Sequence, residues 1–211
     1  MNKIFITSLM ASCLVVSAHA VTLHINGMAS GLYETVTINH NAQNVTVYAG
    51  AQSVSVDGGS AINLYCIDLD HSNQAGYNYN ANIVGAGSVA NSAMIANLFS
   101  HAWTTINDST EAAAFQIALW DIITDGADGI STGNFKVTSA SSAITTQTAT
   151  YLALTTGAGP ESLNLDVYEA TEHGTNGNLY QNLIGANPVP EPMSIFVIGT
   201  IAAAAIRRKR N

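Results

Sequence analysis

Residues 112–123 restrict the fold more than any other stretch, because they follow a helical period and are apolar on every side. A helix without a polar face has to be enclosed by other elements. The chain must therefore supply layers around it, and Gln116 within it becomes a buried polar group in need of partners. Asp108, with Glu111 three residues on, forms a capping box that opens this helix. The glycine-rich acidic stretch 124–129 ends it. That stretch superficially suggests a calcium loop, yet it lacks the spaced oxygen ligands and distal Glu of an EF-hand and reads as a surface turn.

The enclosing layers are legible as strands. Val21, Leu23 and Ile25 alternate in the strand period, as do Val36 and Ile38, Val45 and Val47, and Val54 and Val56. Turn chemistry at 26–27, 39–44, 49–50 and 57–59 separates these runs. Residues 62–68 form the next strand, with Ile62, Leu64 and Cys66 on one face and Tyr65 and Ile67 on the other, so Cys66 points inward. Residues 71–87 are polar and rich in Asn and Gly, and read as a long surface loop. A first helix follows from Ser88 through Ile95, Leu98 and Ala102 to Ile106. Val137, Ala140, Ile144, Tyr151 and Leu154 mark a third. Leu163, Leu165 and Val167, then Leu179 and Leu183, are two further candidate strands. The expected class is α+β: an antiparallel sheet or sandwich with a helical insertion of about three helices over residues 88–154.

Both ends carry addresses. Residues 1–20 have one lysine, an apolar run and the small-residue close Ala18-His19-Ala20, the build of a secretory signal peptide. The exported domain is then expected over residues 21–187. Pro190-Glu191-Pro192, the apolar run 193–206 and Arg207-Arg208-Lys209-Arg210 follow. This three-part tail, residues 188–211, looks like a PEP-CTERM sorting signal. The resemblance implies a sorting peptidase of the exosortase type and at least transient anchoring in the inner membrane, with the basic cluster cytoplasmic. The apolar run is shorter than the roughly twenty residues of an untilted span, a difference that membrane thinning and snorkelling arginines offset. An uncut C-terminal anchor fits the same residues. Between the two addresses Lys136 is the only basic residue, against every Asp and Glu except Glu191. So anionic a domain excludes nucleic acid as a partner.

Cys66 is the only cysteine left once the signal peptide is removed. Tyr65-Cys66-Ile67, followed by Phe115-Gln116-Ile117-Ala118-Leu119-Trp120, resembles the paired motifs of bacterial surface thioester domains. The resemblance implies an internal thioester between Cys66 and Gln116, shielded by Tyr65, Phe115 and Trp120. It also implies a covalent adhesin whose partner is an amine or hydroxyl of a protein or polysaccharide. Such attachment is single-turnover and not enzymatic, and it calls for no cofactor and no metal. His71 and His101 are the candidate bases for an attacking nucleophile. Two other readings stay open. One is a non-covalent matrix protein associated with extracellular polysaccharide, with Cys66 an inert buried residue. The other is a Cys-His hydrolase with Cys66 as nucleophile and His101 as base, although such thiols usually sit at a helix N-terminus. Lys136 is expected to lie out of reach of the Cys66–Gln116 pair, leaving a stored electrophile safe from the domain's own amine.

Overall fold

Among the residues that the computed structural model describes, 19–156, 164–171 and 180–186, ten regular elements follow one another. They are β1 (His19–His40), β2 (Gln43–Val56), β3 (Ala61–Cys66), β4 (Asn78–Gly85), α1 (Ser92–Ala102), α2 (Ser109–Asp125), β5 (Phe135–Ser139), α3 (Ser142–Ala153), β6 (Leu165–Ala170) and β7 (Leu183–Ala186). The class is α+β, as the sequence predicts. The strands form one seven-stranded sheet in the order β2-β3-β7-β6-β4-β1-β5, with every pairing antiparallel. A second pairing, of β1 with β2, closes all the strands but β5 into a ring. The first part of β1 pairs with β4 and its last residues with β5.

Helix α2 packs against β1, β2 and α3, and every residue from Ala112 to Ile122 is buried. Full burial of a side chain such as Phe115 or Ile117 contributes about 1.5–3 kcal/mol, so this helix is a principal source of cohesion. Its start is the expected box in a modified form. The Glu111 amide donates to Asp108 Oδ1 at 2.8 Å, while Glu111 Oε2 accepts from the Asn107 amide at 2.7 Å instead of from Asp108.

The sheet departs from the sequence reading in three places. Residues 26–27 and 49–50 are not turns: they are irregularities inside the long strands β1 and β2, where the register shifts. Gly50 has φ +144°, and a Cβ there would run into the Leu32 carbonyl and Tyr33. Only glycine allows the strands to cross at that point. The hairpin turns fall at Asn41-Ala42 and Asp57-Gly58, all in the left-handed region. Second, part of the expected loop 71–87 is strand β4, in which Tyr79 and Ala81 are buried and Asn78, Asn80 and Asn82 are not. Third, Lys136 and Val137 belong to β5, which pairs with β1, so α3 begins only at Ser142.

The expected signal peptide lies outside the described residues apart from His19 and Ala20, which open β1 opposite Ile83 and Asn82. The sorting tail, with Pro190, Glu191, Pro192 and the basic cluster 207–210, lies wholly outside them. No helix among the described residues is long and apolar enough to cross a membrane.

Candidate functional site

Strand β3 ends on Cys66, and α2 crosses beside it with Gln116 facing the strand. The Gln116 carboxamide bonds to both backbone groups of Cys66: Oε1 accepts from the Cys66 N–H at 2.9 Å, and Nε2 donates to the Cys66 carbonyl at 2.8 Å. It takes the place that a neighbouring strand would fill. Both side chains are buried, Cys66 at 3% exposure and Gln116 at 1%. The expectation that Gln116 is buried therefore holds, and its partner is the backbone of the motif cysteine.

Cys66 is a free thiol. Its Sγ donates to the Asp68 carbonyl at 2.9 Å and accepts from the Asp68 N–H at 3.3 Å. Burial pushes the thiol up to about 12, opposed by the Asp68 backbone bond and by the indole of Trp120. The Trp120 N–H is close enough to oppose the rise, yet it makes no hydrogen bond of good geometry and is buried without a partner. Protonated, the thiol is a poor nucleophile, and removal of its proton has to accompany attack.

A cleft of about 680 Å³ opens over this pair. Cys66, Gln116 and Trp120 lie on its walls with His71, Asp70, Leu69 and the aromatic pair Tyr33 and Tyr48. His71 Nδ1 is 2.7 Å from Asp68 Oδ2, so the carboxylate orients the imidazole and leaves Nε2 as the nitrogen available for proton transfer. His101 is not part of this wall: it is exposed on α1, with Nδ1 against the Asn97 carbonyl at 2.8 Å. Of the two candidate bases, the fold brings only His71 to the cleft. Lys136, on β5 opposite Asn39, does not line it.

The three aromatic residues divide in the same way. Trp120 lines the cleft. Tyr65 and Phe115 pack against each other, ring centroids 4.7 Å apart, in a cluster with Phe99 and Trp103. Because Tyr65 and Cys66 are consecutive in a strand, their side chains leave on opposite faces. Tyr65 and Phe115 thus brace β3 against α2 behind the pair and do not cover it.

No family model and no curated protein matches the chain. Among solved structures the fold is similar to the N-terminal domain of the Streptococcus pyogenes pilus tip adhesin Cpa, with 14% identity and a TM-score of 0.49. The match covers 78% of this chain and 99% of that one.

Several cleft residues escape the sequence reading. Gln181 Nε2 donates to the carbonyls of His71 at 2.8 Å and Asp68 at 3.3 Å, and Gln181 is held in turn by Gln52 and Asn73. This amide network fixes the segment that carries Asp68 and His71. The spacing of Asp68 and His71 is visible in the chain; the contribution of Gln181, far away in sequence, carries no local mark.

Proposed function

We propose that this chain is an exported surface protein that attaches covalently to its partner through an internal thioester between Cys66 and Gln116. The observation that carries the reading is the double hydrogen bond by which the Gln116 carboxamide grips the backbone of Cys66 at the base of an open cleft. Two chemically complementary groups held this way gain effective molarities of about 10⁵–10⁸ M.

In the first step the Cys66 sulfur attacks the Gln116 amide carbon, the C–S bond forms, the C–N bond breaks, and ammonia leaves carrying the thiol proton. A side-chain rotation that releases Sγ from Asp68 precedes attack. Water exclusion around two buried side chains protects the product from hydrolysis. In the second step an amine or hydroxyl of a protein or polysaccharide attacks the thioester carbonyl. Gln116 becomes the acyl group of an amide or ester, and Cys66 returns to a thiol. His71, oriented by Asp68, takes the proton from the nucleophile and delivers it to sulfur. Each molecule reacts once. The placement is the cell surface or extracellular matrix, reached through the signal peptide and a sorting peptidase acting on the tail.

The test is capture of a biotinylated primary amine by the purified domain. The account predicts a label that survives boiling in detergent, maps to Gln116 and is absent from Cys66→Ala. Labelling at other residues, or equal labelling of Cys66→Ala, contradicts it, and absence of any label favours a non-covalent matrix protein.

A further inference from the structure

One carboxylate oxygen from each of Asp121, Asp125 and Asp128 lies within 4.8 Å of the others. Three like charges at that separation repel one another. They also stand at the C-terminal end of α2, where the carbonyl dipoles are already negative and the last turn contains no basic side chain. Among the described residues no lysine or arginine makes a salt bridge to them.

Asp121 supplies the second, independent observation. It is wholly enclosed, at 0% exposure, and Oδ1 of the carboxylate that faces Asp125 and Asp128 has no hydrogen-bond partner. Oδ2 accepts a single bond, from the Gly129 N–H at 3.2 Å. A carboxylate oxygen taken out of water and left unpaired is costly, and a bound cation removes that cost.

We propose that Asp121, Asp125 and Asp128 form a calcium site that ties the end of α2 to the loop leading into β5. Asp125 is already positioned for this, with Oδ2 accepting from the Phe135 N–H at 2.7 Å and Oδ1 from the Asn134 side chain at 3.3 Å. Gly133 lets the loop close over it, because a Cβ there would strike the Asp125 carboxylate. Asp128 is exposed and closes the solvent side. The donors are all hard oxygens, with no Cys or His, which selects an alkaline-earth cation over zinc. Three carboxylates on a loop and a helix end leave the remaining positions to water or loop carbonyls, which suits the flexible coordination of calcium better than the strict octahedron of magnesium. None of the three carboxylates lines the cleft, and the site does not depend on thioester formation, although Trp120, next to Asp121 in the chain, lies on the wall of the cleft.

The experiment is a calcium titration of the exported domain at neutral pH after dialysis against EDTA, followed by thermal unfolding. Terbium luminescence sensitised by Trp120 provides the second readout. Calcium at about 100 times its Kd raises the unfolding midpoint by about 5–10 °C and displaces terbium. Asp128→Asn, which alters an exposed side chain, weakens calcium binding by about tenfold or more and leaves the EDTA midpoint unchanged or higher. No shift in the wild type at about 10 mM calcium, or an undiminished shift in Asp128→Asn, overturns the site. An equal response to magnesium overturns the assignment to calcium.

Discussion

The carboxamide of Gln116 reads both backbone groups of Cys66, receiving the N–H at 2.9 Å and giving an N–H to the carbonyl at 2.8 Å. One side chain on a buried helix thereby replaces a strand neighbour at the end of β3, and the bond registers the helix against the cysteine. Under the proposed thioester the same contact also brings the reacting groups together. Gln116→Ala leaves a donor and an acceptor unpaired in the core, at about 1–3 kcal/mol each. Chemical denaturation should show a loss of about 2–5 kcal/mol for Gln116→Ala. Cys66→Ala keeps both backbone bonds and should cost distinctly less.

The thiol form of Cys66 has its own pH signature. Burial raises the folded value from 9.0 to about 12, so the proton on sulfur stabilises the fold fully below pH 9.0, and this contribution is lost as pH rises toward about 12. In the amine-treated domain, where Cys66 is released as a thiol, its alkylation by iodoacetamide should be slow and should rise about tenfold per pH unit between neutral and mildly alkaline pH, without a plateau. A plateau near pH 8 would mean an activated thiol of the hydrolase kind.

His71 and Asp68 make a further separation of roles testable. His71→Gln should slow amine capture by about 10²-fold while leaving the fold and the loss of ammonia intact. Equal capture rates for wild type and His71→Gln remove the imidazole from the second step. His101→Gln, on the outer side of α1, should behave as wild type in both assays.

The near absence of lysine gains meaning from the position of the cleft. Tyr48 is 61% exposed and lies on the cleft wall, whereas Lys136 is on β5 and not on it. Tyr48→Lys should place an amine beside the stored electrophile and yield monomers crosslinked internally at Gln116, detected by peptide mapping, with reduced capture of added amine. Full capture without crosslinks in that variant means that lysine scarcity has no protective role.

Much of this was legible where a local pattern carries the physics. The all-apolar period of 112–123 fixes burial of Gln116, and Asp108 with Glu111 fixes where α2 begins. Strand β4 is hidden in the sequence because its outward positions are asparagines, residues with turn chemistry, which mask the alternation of the buried Tyr79 and Ala81. The irregularities at Gly27 and Gly50 look like turns in sequence because glycine serves both, and only the cross-strand partners, Ser53 for Gly27 and Tyr33 for Gly50, distinguish them. Strand β5 reads as part of a helix because Val137 and Ala140 fit the helical period of α3, while its pairing partner on β1 is distant in the chain. The site followed the same rule. Cys66, Gln116 and Trp120 were visible as motif residues, but the choice of His71 over His101 depends on tertiary placement, as does the bracing role of Tyr65 and Phe115.

The central claim is decided most directly by the intact mass of the exported domain, residues 21–187, purified without added amines at neutral pH. The account predicts a mass short by one ammonia, with Cys66 unreactive to thiol reagents until the protein is treated with an amine, and the full mass restored in both Cys66→Ala and Gln116→Ala. A wild-type domain of full mass whose Cys66 is alkylated stoichiometrically in the native state contradicts it.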